Sequence, residues 1–162
     1  MIAIGSDHAG YKAKEEIKKY FSENKIEFKD VGTFSEESCD YPVIAKAVAD
    51  SVSQKESEKG IIVCGSGIGV SIAANKVNGV RAALCYEPEL AAMSRKHNDA
   101  NVLCLGGRYS DLNTVLETVK SFLSTDFEGG RHQKRVEQIT DIEKIQKIDR
   151  RTIKCQKIKM LW

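Results

Sequence analysis

Five short apolar runs recur along this chain, separated by longer amphipathic segments, and that alternation constrains the fold more than any other feature. The runs are IAIGSD from Ile2, EFKDVG from Glu27, GIIVCG from Gly60, RAALCY from Arg81 and NVLCLGG from Asn101. Short apolar runs of this kind read as strands. Between them, YKAKEEIKKYFSENK, YPVIAKAVADSVSQK, PELAAMSRKHN and DLNTVLETVKSFLST read as helices. The first sets Ile17, Tyr20 and Phe21 on one face, and Asp111 stands where an N-cap belongs in the last. Pro42 and Pro88 fall near predicted helix starts, where proline is tolerated. Repeated strand–helix units predict a three-layer αβα sandwich on a five-stranded parallel sheet, Rossmann-like and doubly wound, with an extra helix from about Gly130.

The chain's 162 residues suit one domain with a core of its own. Five cysteines (Cys39, Cys64, Cys85, Cys104, Cys155) are an odd number without paired metal-site spacing, and the N-terminus does not resemble a signal peptide. Reduced thiols in a cytoplasm are the expectation. No apolar run approaches the roughly 20 residues of a membrane span, so a soluble protein without a membrane partner is expected. From Asp149 to Trp162, DRRTIKCQKIKMLW holds five basic residues and one acid; this +4 against the chain's +2 leaves residues 1–148 at −2. A slightly acidic body argues against nucleic acid as the main partner, since duplex binders present a basic face. The basic tail 149–162 reads as a solvated or dimer-packed terminus.

In doubly wound sheets, ligands gather outside the carboxyl ends of the strands. There the first strand delivers Asp7 and His8, the third delivers Cys64 and the loop GSGIG, and the fifth ends in GGR with Arg108. The helix before strand five adds His97 and Asn98, and the same expectation places them with this group. Taken singly, Asp7 is an ordinary N-cap, Cys64 a small buried hydrophobe and His97 a helix C-cap. Their coincidence is what marks a site.

Gly65, Gly67 and Gly69 form G-x-G-x-G with valine at position 70, after the third strand. A dinucleotide fingerprint needs G-x-G-x-x-G after the first, so a nicotinamide cofactor is disfavoured, and no Gly-Lys-Ser/Thr follows to make a P-loop. The loop's N–H groups instead suit an oxyanion that forms during reaction. A thiol facing that positive pole has its thiolate favoured, which makes Cys64 a usable base or nucleophile, although apolar burial pulls the other way. Downstream, Arg131 and Arg135 lie four apart at the beginning of the last predicted helix. Two guanidinium forks beside a helix N-terminus suit a phosphate monoester, where the plain alternative is a solvated basic face.

The segments SDHAGYKAK, DYPVIAKAVA, CGSGIGVSIAANK, GVRAALC, SRKHNDANVLCLGGR and FEGGRHQKRVEQI resemble the ribose/galactose isomerase family. That group comprises B-type ribose-5-phosphate isomerases together with galactose-6-phosphate and allose-6-phosphate isomerases. The resemblance runs from Met1 to about Ile148 and implies an isomerase domain over 1–148; the tail beyond is atypical for the family. It implies interconversion of ribose 5-phosphate and ribulose 5-phosphate through an enediolate, with no metal and no cofactor. Cys64 matches the base, Ser66 a hydroxyl that assists proton transfer, and His97 the residue that opens the furanose ring. Some relatives place a glutamate base where this chain has Val70. Asn98 matches a residue of the same substrate region, and Asp7 and Tyr41 match contacts to sugar oxygens. Gly65, Gly67 and Gly69 match the oxyanion loop, and His8, Arg108, Arg131 and Arg135 the phosphate grip. The family further implies a homodimer with a site shared between subunits, in which His97 and Asn98 act on the partner's Cys64, pairing into tetramers being left open. Cys64, Ser66 and His97 together favour an enzyme over a non-catalytic sugar-phosphate or nucleotide binding module, for which the loop and the arginines would suffice.

Overall fold

The five apolar runs form five strands: β1 (Ile2–Ser6), β2 (Phe28–Asp30), β3 (Lys59–Cys64), β4 (Ala82–Leu84) and β5 (Val102–Gly106). All neighbouring pairs are parallel, in the order β2-β1-β3-β5-β4. The connecting helices are α1 (Tyr11–Glu23), α2 (Tyr41–Ser53), α3 (Ile68–Ala74), α4 (Pro88–Asn98) and α5 (Leu112–Ser124). The computed structural model describes residues 1–144, so the basic segment 149–162 lies outside them. Two compact units are distinguished, Met1–Glu128 with the sheet and a second beginning at Gly129. The described part of the second holds a 3₁₀ turn at Gly130–His132 and helical residues 133–144, which is the extra helix expected from Gly130.

Alternation along the strands explains the layers. Ile2, Ile4, Ile61, Val63, Leu103 and Leu105 face one side and pack with Ile17 and Phe21 of α1, Ala91 of α4, and Val115, Val119 and Phe122 of α5. Ala3, Ile62, Cys64, Val102 and Cys104 face the other and pack with Val48 and Val52 of α2 and Val70 and Ala74 of α3. A sheet covered on both faces needs apolar residues at successive positions, which is why its strands read as continuous runs. Local signals set the helix starts. Asp111 accepts the Thr114 N–H at 2.9 Å, and prolines occupy the first turn of both α2 and α4. Among the described residues no helix is long and apolar enough to cross a membrane.

One charged residue breaks the amphipathic pattern. Lys14 of α1 is fully buried, and its Nζ donates to both carboxylate oxygens of Asp30 at 2.8 Å and to Thr33 O at 2.6 Å. Burial alone would raise the Asp30 carboxyl; hydrogen bonds from Lys14, Lys18 and the Gly32 N–H outweigh it and hold it below its ordinary value of 3.8. A lowered folded value stabilises the fold above pH 3.8, and that contribution disappears as the pH falls through the folded value. Asp30→Ala takes from the buried ammonium the carboxylate it hydrogen-bonds, leaving the Glu15 carboxylate at 3.5 Å, and breaking such a buried pair costs about 3–5 kcal/mol. Urea unfolding at pH 7 is expected to show that loss, and a smaller one for Lys14→Met, which leaves Asp30 paired with Lys18 at 2.7 Å.

Candidate active site

The chain runs from β1 outward to β2 and then returns to β3 on the other side of β1, so the direction of winding reverses between β1 and β3. At such a switch point the loops leaving neighbouring strands part in opposite directions and open a crevice at the carboxyl edge. A cleft of roughly 480 Å³ lies there. Of the residues expected from sequence, Asp7, His8, Tyr41, Cys64, Gly65, Ser66, Gly69 and Arg108 line it. Ala9, Ile68 and Tyr109 line it too and were not expected. Tyr109 directly follows Arg108, so the strand-end argument that found the arginine reached one residue too few.

Each wall has a local cause. Asp7 Oδ1 accepts the N–H groups of Ala9 and Gly10 at 2.9 and 3.0 Å, starting the 3₁₀ turn His8–Gly10. Asp7 is therefore an N-cap as well as a cleft residue. His8 Nδ1 accepts the Cys39 N–H at 3.4 Å, which leaves Nε2 as the donor in the neutral ring. Cys64 ends β3 with its side chain on the α2–α3 face, 5% exposed, and its Sγ accepts the Gly67 N–H at 3.0 Å. A backbone donor aimed at the sulfur fixes the position and the acceptor role of that atom.

The glycines of GSGIG have separate reasons. Gly67 has a φ of +77°, and a Cβ there would stand 2.4 Å from Leu84 Cδ1 and 2.9 Å from the Leu105 carbonyl carbon. At Gly69 a Cβ would stand 2.6 Å from Tyr41 Cζ, so the absence of a side chain there makes room for the tyrosine ring. Ser66 Oγ accepts the Ile68 N–H at 3.3 Å, and Ser66 O accepts the Tyr86 hydroxyl at 2.7 Å. The loop is cross-tied to β5's exit: Gly107 N–H donates to Cys64 O at 2.8 Å and Arg108 N–H to Gly65 O at 3.1 Å. Tyr86 thus steadies the loop from outside the cleft, a role invisible twenty residues away in sequence.

Among the described residues no carboxylate pairs with the Arg108 guanidinium, in contrast to Arg81 and Arg95, which both bind Asp99. The ligating atoms of Asp7, His8 and Cys64 do not gather closely enough to form a metal-binding group. The thiols differ in setting. Burial pushes Cys104 far up, with Cys64 and Cys85 adding to it, and burial raises Cys85 against an opposing hydrogen bond from Ser94. Both are held as inert thiols at neutral pH.

His97 and Asn98 do not join this cleft within one chain. They end α4, and a helix that connects parallel strands returns to the amino edge, where the Asn98 carbonyl accepts from Arg81 Nε at 3.1 Å beside the start of β5. The five residues of β5, at about 3.3 Å each, separate that edge from the cleft by roughly 13 Å. Grouping His97 with strand exits overlooked that its helix precedes its strand. Arg131 and Arg135 belong to the second unit. Both are exposed; Arg131 lies in the 3₁₀ turn, and Arg135 Nη1 reaches back to the Arg131 carbonyl at 2.7 Å. Gly129 and Gly130, both at positive φ, lead into that turn.

The family model described as Ribose/Galactose Isomerase matches residues 2–139. The chain is 49% identical to ribose-5-phosphate isomerase B of Escherichia coli over 142 residues, 88% of this chain and 95% of that one. The solved ribose-5-phosphate isomerase B of Clostridium thermocellum superimposes with a TM-score of 0.87 at 49% identity, covering 88% of this chain and 97% of that one. The Mycoplasma genitalium enzyme, solved with bound ribulose-5-phosphate, gives 0.84 at 41% identity over 88% of this chain and 95% of its own. The switch-point cleft and these matches together define an isomerase on a Rossmann-like sheet. The chain belongs to the ribose/galactose isomerase family.

Proposed function

We propose that this protein interconverts ribose 5-phosphate and ribulose 5-phosphate, with Cys64 as the base. The observation that carries the reading is the thiol of Cys64, held by the Gly67 N–H in a cleft that His8 and Arg108 also line. Cys64 removes the proton from C2 of the open-chain aldose and returns it to C1, while a hydroxyl proton moves from O2 to O1. Ser66 assists that second transfer. Atoms balance within the substrate, so the step needs no oxidant and no cofactor. Loop N–H groups stabilise the enediolate oxygen, a charge that appears only during the reaction. Asp7 and Tyr41 contact sugar oxygens, and His8, Arg108, Arg131 and Arg135 hold the phosphate.

The furanose must open first, an acid–base step that an imidazole can carry out. His97 stands a strand's length from Cys64 in its own chain, so the reading takes His97 and Asn98 from a second copy in a homodimer. Val43 on α2 and Ile68 and Ile72, one turn apart on α3, are each more than half exposed and supply an apolar surface for such a partner. The four described cysteines are free, which fits a reducing cytoplasm.

The test is to incubate the purified protein with ribose 5-phosphate and assay ribulose 5-phosphate. Appearance of the ketose supports the reading, and its absence from a folded dimer contradicts it. In the same assay Arg131→Ala or Arg135→Ala is expected to raise KM about ten- to a hundredfold, since a hydrogen bond to a charged group contributes roughly 1.5–3 kcal/mol. Lysine at either position should rescue only partly, because an ammonium lacks the planar fork. Unchanged constants in all four variants would make these arginines a solvated face.

A further inference from the structure

We propose that Lys14, buried outside the cleft, is a positioning residue for the His8 imidazole. The inference rests on the assignment of His8 to the substrate's phosphate. Asp30 and Thr33, which Lys14 holds, flank the turn that follows β2. Within that turn Gly32 N–H donates to Asp30 Oδ1 at 2.9 Å. The turn then brackets the last residue of β1 on both sides: Ser6 N–H donates to Gly32 O at 2.7 Å, and Thr33 N–H donates to Ser6 O at 2.7 Å. Asp7 and His8 are the next two residues. The same segment continues to Cys39, whose N–H holds the His8 ring through Nδ1.

Besides the Asp7 cap, these two restraints on β1's exit and the His8 ring belong to one connection, residues 31–40, and Lys14 fastens its first turn to α1. The Lys14 ammonium also lies 5.1 Å from the centre of the Phe34 ring, the next residue along. Packing does not demand this arrangement. Replacing a whole buried ion pair by apolar side chains of similar volume is often neutral for stability, so stability alone does not account for the fully buried charge on α1. What the ammonium provides, and a hydrocarbon cannot, is three directional hydrogen bonds that fix where the turn, and hence β1's exit, lies. If His8 is displaced, ground-state grip on the phosphate weakens while Cys64, on β3, keeps its geometry. That predicts a rise in KM with little change in kcat.

The experiment compares the parent, Lys14→Met, His8→Ala and the double variant with ribose 5-phosphate, alongside proton NMR of the imidazoles. The chain has three histidines, so His8 is assigned from its disappearance in His8→Ala. Lys14→Met is expected to raise KM about tenfold with kcat within about twofold, to move the His8 resonance, and to leave those of His97 and His132 in place. In the His8→Ala background it should raise KM no further, because the two residues act through one contact. Additive effects on KM, or a His8 resonance that stays put, would overturn the proposal. Phe34→Ala, a 71% exposed position, is the second variant should Lys14→Met not fold; it should move the His8 resonance in the same way, and an unmoved resonance there counts against the proposal. A parent without isomerase activity would overturn the functional reading instead, and the NMR arm would still decide the positioning claim.

Discussion

Cys64→Ala is expected to lower kcat by about 10²–10⁴-fold, the usual contribution of a general base, while KM stays near the parent's. The expectation follows from position. The sulfur is held at the floor of the cleft by one backbone donor, whereas the groups assigned to phosphate lie on other elements and are untouched by the change. Removing a thiol from a 5% exposed site leaves a small void, so thermal unfolding must show the variant folded before its rate is read. Alkylation should inactivate the parent, and ribose 5-phosphate should protect it. Replacing Cys39, Cys85 or Cys104 with alanine should leave turnover near normal, since Cys85 and Cys104 are held protonated by burial. A folded Cys64→Ala variant with near-parental kcat would remove the residue from the chemistry.

Mixing two crippled variants should restore activity. His97→Asn is expected to lose conversion of the cyclic aldose by at least 10²-fold while retaining more activity toward ribulose 5-phosphate, which does not close into the same ring. If each site joins Cys64 of one copy to His97 of the other, a hybrid of Cys64→Ala and His97→Asn subunits has one intact site and one carrying both lesions. Equal mixing with free exchange then gives about a quarter of parental activity from two nearly inactive proteins. Sites complete within one chain would give no recovery. The roughly 13 Å of β5 between His97's edge and the cleft is what makes recovery the expected result.

Much of this architecture was legible because its signals are local. The α4 boundaries at Pro88 and Asn98, the Asp111 cap and the five parallel strands all follow from spacing, caps and apolar runs within a few residues. The switch-point rule then placed Asp7, His8, Cys64 and Arg108 around one cleft. What escaped the sequence depends on distant partners. Nothing local marks Lys14, since the Asp30 carboxylate it binds lies sixteen residues away on β2. At Gly69 the Tyr41 ring, distant in sequence, is what forbids a side chain. Strand-exit reasoning groups His97 and Asn98 with the cleft of their own chain, although a helix between parallel strands ends at the opposite edge; the family resemblance instead assigns them to the partner's Cys64.

The central claim is that Cys64 moves the carbon-bound proton, and deuterium exchange tests it most directly. In deuterated buffer the parent should wash deuterium into C1 of ribulose 5-phosphate, because the enediolate returns a proton that has mixed with solvent. His97→Asn should still exchange, since the open ketose needs no ring opening. Folded Cys64→Ala should exchange at least 10²-fold more slowly than either. Exchange at the parental rate in Cys64→Ala would show that another group removes the proton and would contradict the account.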